Sequence, residues 1–264
     1  SLWQRTKSIS IQGFYMDDAE ITNNEYRQFV FWVRDSISHV LLDHYAEAEE
    51  GQETEVPIID WSMEIDWEDE ETRSRLEELY LPASETYYGI KSVDTRQLIY
   101  NYRWVKWKEA ASKTNRDKNI ADFIVEEPVE IYPDTLVWVH DYTYSYNEPM
   151  TRQYFSHPAF DDYPVVGVSW KQANAFATWR TDFWNDWRRA NEEVQVDDFR
   201  LPTESEWEYA ARGGRDQAPY PWGGPYVRNT KGCYLANFKP GRGNYPEDGG
   251  YYTVKVYSYA PNDF

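Results

Sequence analysis

Three times in this chain a hydroxyl residue stands three positions ahead of a Glu or Gln at the head of an apolar pattern: Thr22-Asn-Asn-Glu25, Ser169-Trp-Lys-Gln172 and Thr203-Glu-Ser-Glu206. In such a pair the hydroxyl accepts a hydrogen bond from an early backbone N–H, and the carboxylate or amide reaches back to the first one. Each cap is worth about 1 kcal/mol, so helix starts are predicted at all three places. Behind the first, Tyr26, Phe29, Val30 and Val33 recur at i, i+3, i+4 and i+7, the spacing of one buried helix face. Behind the second stand Ala173, Phe176, Ala177 and Arg180. The third follows Pro202, carries Trp207, Ala210 and Ala211 as its packing face, and is predicted to stop at Gly213-Gly214, where a left-handed residue costs little.

The remaining patterns are short. Ile9 with Ile11, Gln97–Val105, Leu136–Val139, Pro164–Val168 and Tyr252–Tyr257 each read as brief strands. Beyond Gly213 the chain is rich in Gly and Pro, and long irregular loops are expected there.

Composition bounds the function. Hydrophobic residues make up 41% of 264, which is ample for a folded core. The 13 Trp and 23 Tyr supply either an aromatic core or amphipathic contact surface. A net charge of −19 argues against a nucleic-acid partner. Acid is concentrated from Asp43 to Glu78, where Arg73 and Arg75 are the only Lys or Arg residues; the run is either a solvated face or a docking surface for a basic partner. The one cysteine, Cys233, cannot make an internal disulfide and is expected to be a small buried hydrophobe. No stretch approaches about 18 apolar residues and no signal peptide is visible. The chain opens at Ser1-Leu-Trp without Met, as expected of a processed or an untraced N-terminus.

Four blocks in order resemble the formylglycine-generating-enzyme (sulfatase-modifying factor) family: Phe14–Val30, Tyr163–Trp179, Arg200–Gly214 (RLPTESEWEYAARGG), and Pro221-Trp-Gly-Gly224 with Ala236-Asn-Phe238. The resemblance implies an irregular α+β fold, a variant of the C-type-lectin type with much loop. It further implies a single domain over 1–264, C-terminally incomplete, with an insertion at about 35–160. Within that insertion, Tyr132–Pro149 and Tyr154–Ser169 are similar to the GldK/PorK lipoproteins of the Bacteroidetes type IX secretion and gliding-motility machinery. This closer likeness implies a ring built with a GldN/PorN-like protein on the periplasmic face of the outer membrane. It also implies a lipidated N-terminal Cys, absent from this chain.

The family's enzymes oxidise a substrate cysteine to formylglycine with O2, using a cysteine pair and copper. Thiolates suit Cu(I) because they are soft ligands. With one Cys, and Ala177 where the enzymes often carry Cys, no copper site and no catalytic residue are expected in this chain. Among the histidines, His39 and His44 are five apart and do not share a helical face well, and His140 and His157 stand in no metal motif. Ser169 lacks a Gly-x-Ser-x-Gly elbow and reads as a cap, and no Gly-rich phosphate loop precedes a helix. Carboxylate pairs such as Asp161/Asp162 and Asp197/Asp198 are what this acid content produces by chance. One site is carried over from the family: Ca2+ held by the Asn237 side chain, the Phe238 carbonyl, the Asp248 side chain and the Gly250 carbonyl, an oxygen set suited to a hard cation. The alternative for Asn237 and Asp248 is ordinary turn chemistry.

The expected function is therefore a non-catalytic structural component of type IX secretion, self-associating into a ring with the GldN/PorN-like partner and touching other outer-membrane secretion components. The aromatic run Tyr142–Tyr146 and the acid run are the expected contact segments. Two alternatives stand beside it: a formylglycine-generating oxidase, and a glycan- or peptidoglycan-binding module.

Overall fold

The structure, a computed structural model, describes residues 8–46, 57–86, 88–139, 149–216 and 218–264. His140, the run Tyr142–Tyr146 and the middle of the acidic segment lie outside the described residues. The chain divides into two compact units: Tyr26–Asp134 with Val168–Phe199, and Ser1–Glu25 with Thr135–Gly167 and Arg200–Phe264. The expected insertion contributes residues 35–134 to the first and 135–160 to the second.

The first unit, in its described residues, is helical with one ribbon. Helix α1 spans Asn23–Leu41, entering this unit at Tyr26; α2 is Glu70–Arg75, α3 Trp107–Ala110 and α5 Trp170–Ala190. The predicted box opens α1: the Thr22 N–H donates to Glu25 Oε2 at 2.8 Å, and the Glu25 N–H donates to Thr22 Oγ1 at 3.2 Å. Tyr26, Phe29, Val30 and Val33 are all buried, as their spacing requires. Phe29, fully excluded from solvent, lies 5.1 Å from the Trp179 ring and 5.2 Å from Tyr100, while Tyr26 stacks on Phe176 at 5.4 Å. The Tyr26 hydroxyl donates to the Ile131 carbonyl at 2.9 Å, and burial pushes its pKa well above the usual phenol value. Strand β1 (Ile99–Val105) pairs antiparallel with β2 (Ile124–Glu130), placing Arg103 opposite Glu126 as an ion pair at 3.4 Å. β2 carries Pro128, which such a two-stranded ribbon tolerates because its strands are both edges.

The second unit is mostly loop, held by side-chain hydrogen bonds. It contains α4 (Pro149–Gln153) and α6 (Glu204–Arg212). Trp138 meets Tyr154 edge-on at 5.1 Å and Tyr252 at 5.5 Å, and the Tyr154 hydroxyl donates to the Pro164 carbonyl at 2.7 Å. The buried Asn23 amide donates to the carbonyls of Phe160 and Tyr154 at 2.8 and 3.2 Å. As predicted, α6 ends at Gly213 in the left-handed conformation (φ 55°), and the Asn262 amide donates to the Ala210 carbonyl at 2.7 Å.

Four predicted strands are absent or reduced. Residues 136–139 fall largely in a 3-10 turn, Thr135–Trp138, that buries Trp138. Pro164 makes a single bridge to Thr22, and Ile9 with Ile11 and Tyr252–Tyr257 form no strand. β-branched and aromatic residues favour a strand only where a partner edge is available. In sum the fold is α+β: helices and, among the described residues, one small sheet.

Candidate functional site

The four positions of the cation set share one loop cluster. A 3-10 turn, Tyr245–Asp248, ends at Gly249, whose φ of 118° turns the chain back on itself. This buries Asp248 and lets its carboxylate accept the Phe238 N–H at 2.6 Å, with the Gly250 N–H at 3.5 Å. The Asp248 carbonyl accepts from the Tyr259 hydroxyl at 2.7 Å. Asn237 directs its amide nitrogen to the Tyr252 carbonyl at 2.6 Å, which leaves the amide oxygen as an acceptor. A Cβ at Gly250 would stand 2.2 Å from Val254 Cγ1, so this position admits only glycine without a shift. Phe238 and Gly250 are thus tied to the Asp248 carboxylate through their N–H groups, and Asn237, beside Phe238, is tied to Tyr252.

The thiol is elsewhere and differs from expectation. Cys233 is exposed, not buried: it sits in a turn where Asn229 Oδ1 accepts the Cys233 N–H at 3.0 Å and the Cys233 carbonyl accepts the Asn229 N–H at 2.9 Å. This reciprocal bonding fixes the backbone and leaves the side chain facing solvent. Ala177 is buried on α5 among Ala175, Phe176 and Trp179. Ser169 is a cap, as predicted: its hydroxyl accepts the Gln172 N–H at 3.3 Å. Asp162 pairs with Lys255 at 3.3 Å, and Asp197 and Asp198 are exposed.

The Arg200–Gly214 block is an electrostatic knot. Glu206 accepts from both terminal nitrogens of Arg200, at 2.7 and 2.8 Å, and from the Thr203 N–H at 2.8 Å. The Arg200 bonds and then those from Thr203 hold its carboxyl at a pKa of about 2, well below the usual value. Trp207, expected to pack this helix, is 62% exposed, and the buried member of α6 is Glu206 itself.

One convergence runs against the spacing argument. α1 ends at Leu41, and Asp43 takes a left-handed conformation (φ 56°), so the chain folds back and brings His44 Nδ1 to 3.0 Å from His39 Nδ1. The five-residue spacing disfavours a shared face only while the helix continues. No group of three His, Cys, Asp or Glu side chains converges as a metal site among the described residues.

Residues 4–264 match the sulfatase-modifying factor enzyme 1-like domain. The chain is 40% identical over 108 residues to a formylglycine-generating enzyme of Thermomonospora curvata, covering 39% of this chain and 29% of that protein. It is 33% identical over 125 residues to the inactive C-alpha-formylglycine-generating enzyme 2 of Bos taurus, covering 44% and 35%. It is also 39% identical over 104 residues to a formylglycine-generating enzyme of Streptomyces coelicolor, covering 38% and 27%. The chain thus spans about a third of the length of these relatives. Because the domain match runs through the capped helices α1, α5 and α6 and the 237–250 loop cluster alike, the chain belongs to the sulfatase-modifying factor enzyme 1-like domain family.

Proposed function

We propose that this protein uses the family fold as a non-catalytic structural component of a type IX secretion apparatus. In this reading it is a GldK/PorK-like lipoprotein, forming a ring with a GldN/PorN-like partner on the periplasmic face of the outer membrane. The observation that carries the reading is the likeness of Tyr132–Pro149 and Tyr154–Ser169 to that group. Two further features support it: the single thiol, Cys233, lies in a solvent-facing turn, and Ala177 stands where the enzymes often carry Cys. The Bos taurus relative is itself named an inactive formylglycine-generating enzyme, which is compatible with this reading.

Calcium belongs to this proposal as a structural ion. The Asn237 amide oxygen, the Asp248 carboxylate and the carbonyls of Phe238 and Gly250 would hold it. Its charge would tie residues 237–238 to 248–250 and relieve the buried carboxylate. If so, EGTA lowers the melting temperature by a few degrees and added Ca2+ restores it. An Asp248→Asn variant with the same EGTA response as the parent overturns this assignment.

Co-expression of the full-length protein with a GldN/PorN-like partner, followed by mass measurement and electron microscopy, tests the main reading. A large closed assembly containing both chains is expected. A monomer that never binds the partner, or oxidation of a cysteine peptide to formylglycine by the copper-loaded protein, overturns it.

A further inference from the structure

The unforeseen histidine contact leads beyond this reading. The two rings are held by separate pieces of backbone. His39 lies in the last turn of α1 and is almost fully buried, with the Trp61 ring edge-on at 5.1 Å; Trp61 in turn stacks on Trp32 at 5.5 Å. The His44 N–H donates to the His39 carbonyl at 2.9 Å, and the His44 carbonyl accepts from the Asp60 N–H at 3.1 Å. The next residue, Tyr45, forms a bridge with Ile59. Both imidazoles are therefore positioned by packing and backbone hydrogen bonds.

We propose that His39 and His44 form a chelating site for a first-row divalent transition-metal ion of the Zn2+ type. Two nitrogens at about 2.0–2.1 Å from one ion lie about 3.3 Å apart at the tetrahedral angle and about 2.9 Å apart at a right angle. The Nδ1 atoms share a hydrogen bond at 3.0 Å, a separation within that bite, and the ion would take the place of the shared proton. Neutral imidazole binds such ions through either ring nitrogen, and imidazole suits Zn2+, Ni2+ and Cu2+. Burial holds His39 toward its neutral, ligating form, while the charges of Asp35 and Asp60 act in favour of a cation. Asp35 pairs with Arg34 at 2.7 Å, Asp60 Oδ1 accepts from the Ser62 N–H and hydroxyl, and no third His, Cys, Asp or Glu side chain joins the pair among the described residues. The described chain thus supplies two ligands, with water filling the remaining positions. The ion fastens the end of α1 to the segment that enters the acidic run.

Calorimetric titration of the purified, chelator-treated full chain with ZnCl2 tests the site, alongside His39→Gln, His44→Gln and the control His157→Gln. One saturable equivalent is expected, weakened about tenfold or more in either pair variant and unchanged in the control. Zn2+ raises the melting temperature of the parent and not of His44→Gln. His44 is only half-buried, so that variant decides the matter if His39→Gln fails to fold. No saturable binding by the parent, or full binding by His44→Gln, overturns the proposal.

Discussion

Helices α1 and α6 open with the same Thr-x-x-Glu device and end in opposite conditions. α1 buries Tyr26, Phe29, Val30 and Val33, whereas α6 buries Glu206 and leaves Trp207 and Tyr209 half or more exposed. The cap chemistry is equally well formed in both. A capping box therefore fixes where a helix begins and says nothing about what covers it. α1 is stabilised by an aromatic cluster, which water excludes at about 1.5–3 kcal/mol per fully buried side chain. α6 is held at its ends, by Arg200–Glu206 at the start and by Asn262 at Gly213.

Substitution can break that contrast. Phe29→Ala has the largest expected effect, about 3–5 kcal/mol of destabilisation in chemical denaturation, because it removes a fully buried ring between Trp179 and Tyr100. Glu206 comes next, in acid. Its folded pKa lies below the unfolded value, so its contribution is fully present above about pH 4.5 and is lost as pH falls toward 2. As pH falls through that window, the melting temperature should drop further for the parent than for Glu206→Gln. Thr22→Ala and Thr203→Ala should each cost about 1 kcal/mol, the equality being the point of comparison. Trp207→Ala should change stability by less than about 0.5 kcal/mol in the isolated chain. If Trp207→Ala proves as costly as Phe29→Ala, then α6 is covered in solution and the contrast fails.

What could be read beforehand was what neighbouring residues decide among themselves. Thr22 with Glu25, Ser169 with Gln172 and Thr203 with Glu206 bond within one turn, and Gly213 needs only its own φ. Features that depend on distant partners were lost. Leu136–Val139 has strand-forming residues but lies largely in a 3-10 turn that buries Trp138, and β2 is hidden by its glutamates and Pro128 although β1 alternates clearly. No periodicity announces that Asp248 reaches the Phe238 N–H, and only family likeness links the two positions in the sequence. Cys233 was expected inside and is outside, because Asn229 fixes its backbone rather than its thiol. The histidine pair escaped for one reason, the unforeseen left-handed residue Asp43.

The second box alone uses Gln in place of Glu. Gln172 Oε1 accepts the Ser169 N–H at 2.7 Å, while its Nε2 donates to the carbonyls of both Glu130 and Tyr132 at 2.9 Å. A carboxylate would satisfy the helix start equally well and then face two carbonyl oxygens with no proton to offer. Glu206 meets the opposite demand, since Arg200 needs an anion. A swap of the two residues would keep both helix-start signatures intact in the sequence while setting like against like at each, so in this fold the third position of the box acts as a key cut for its neighbour across the chain.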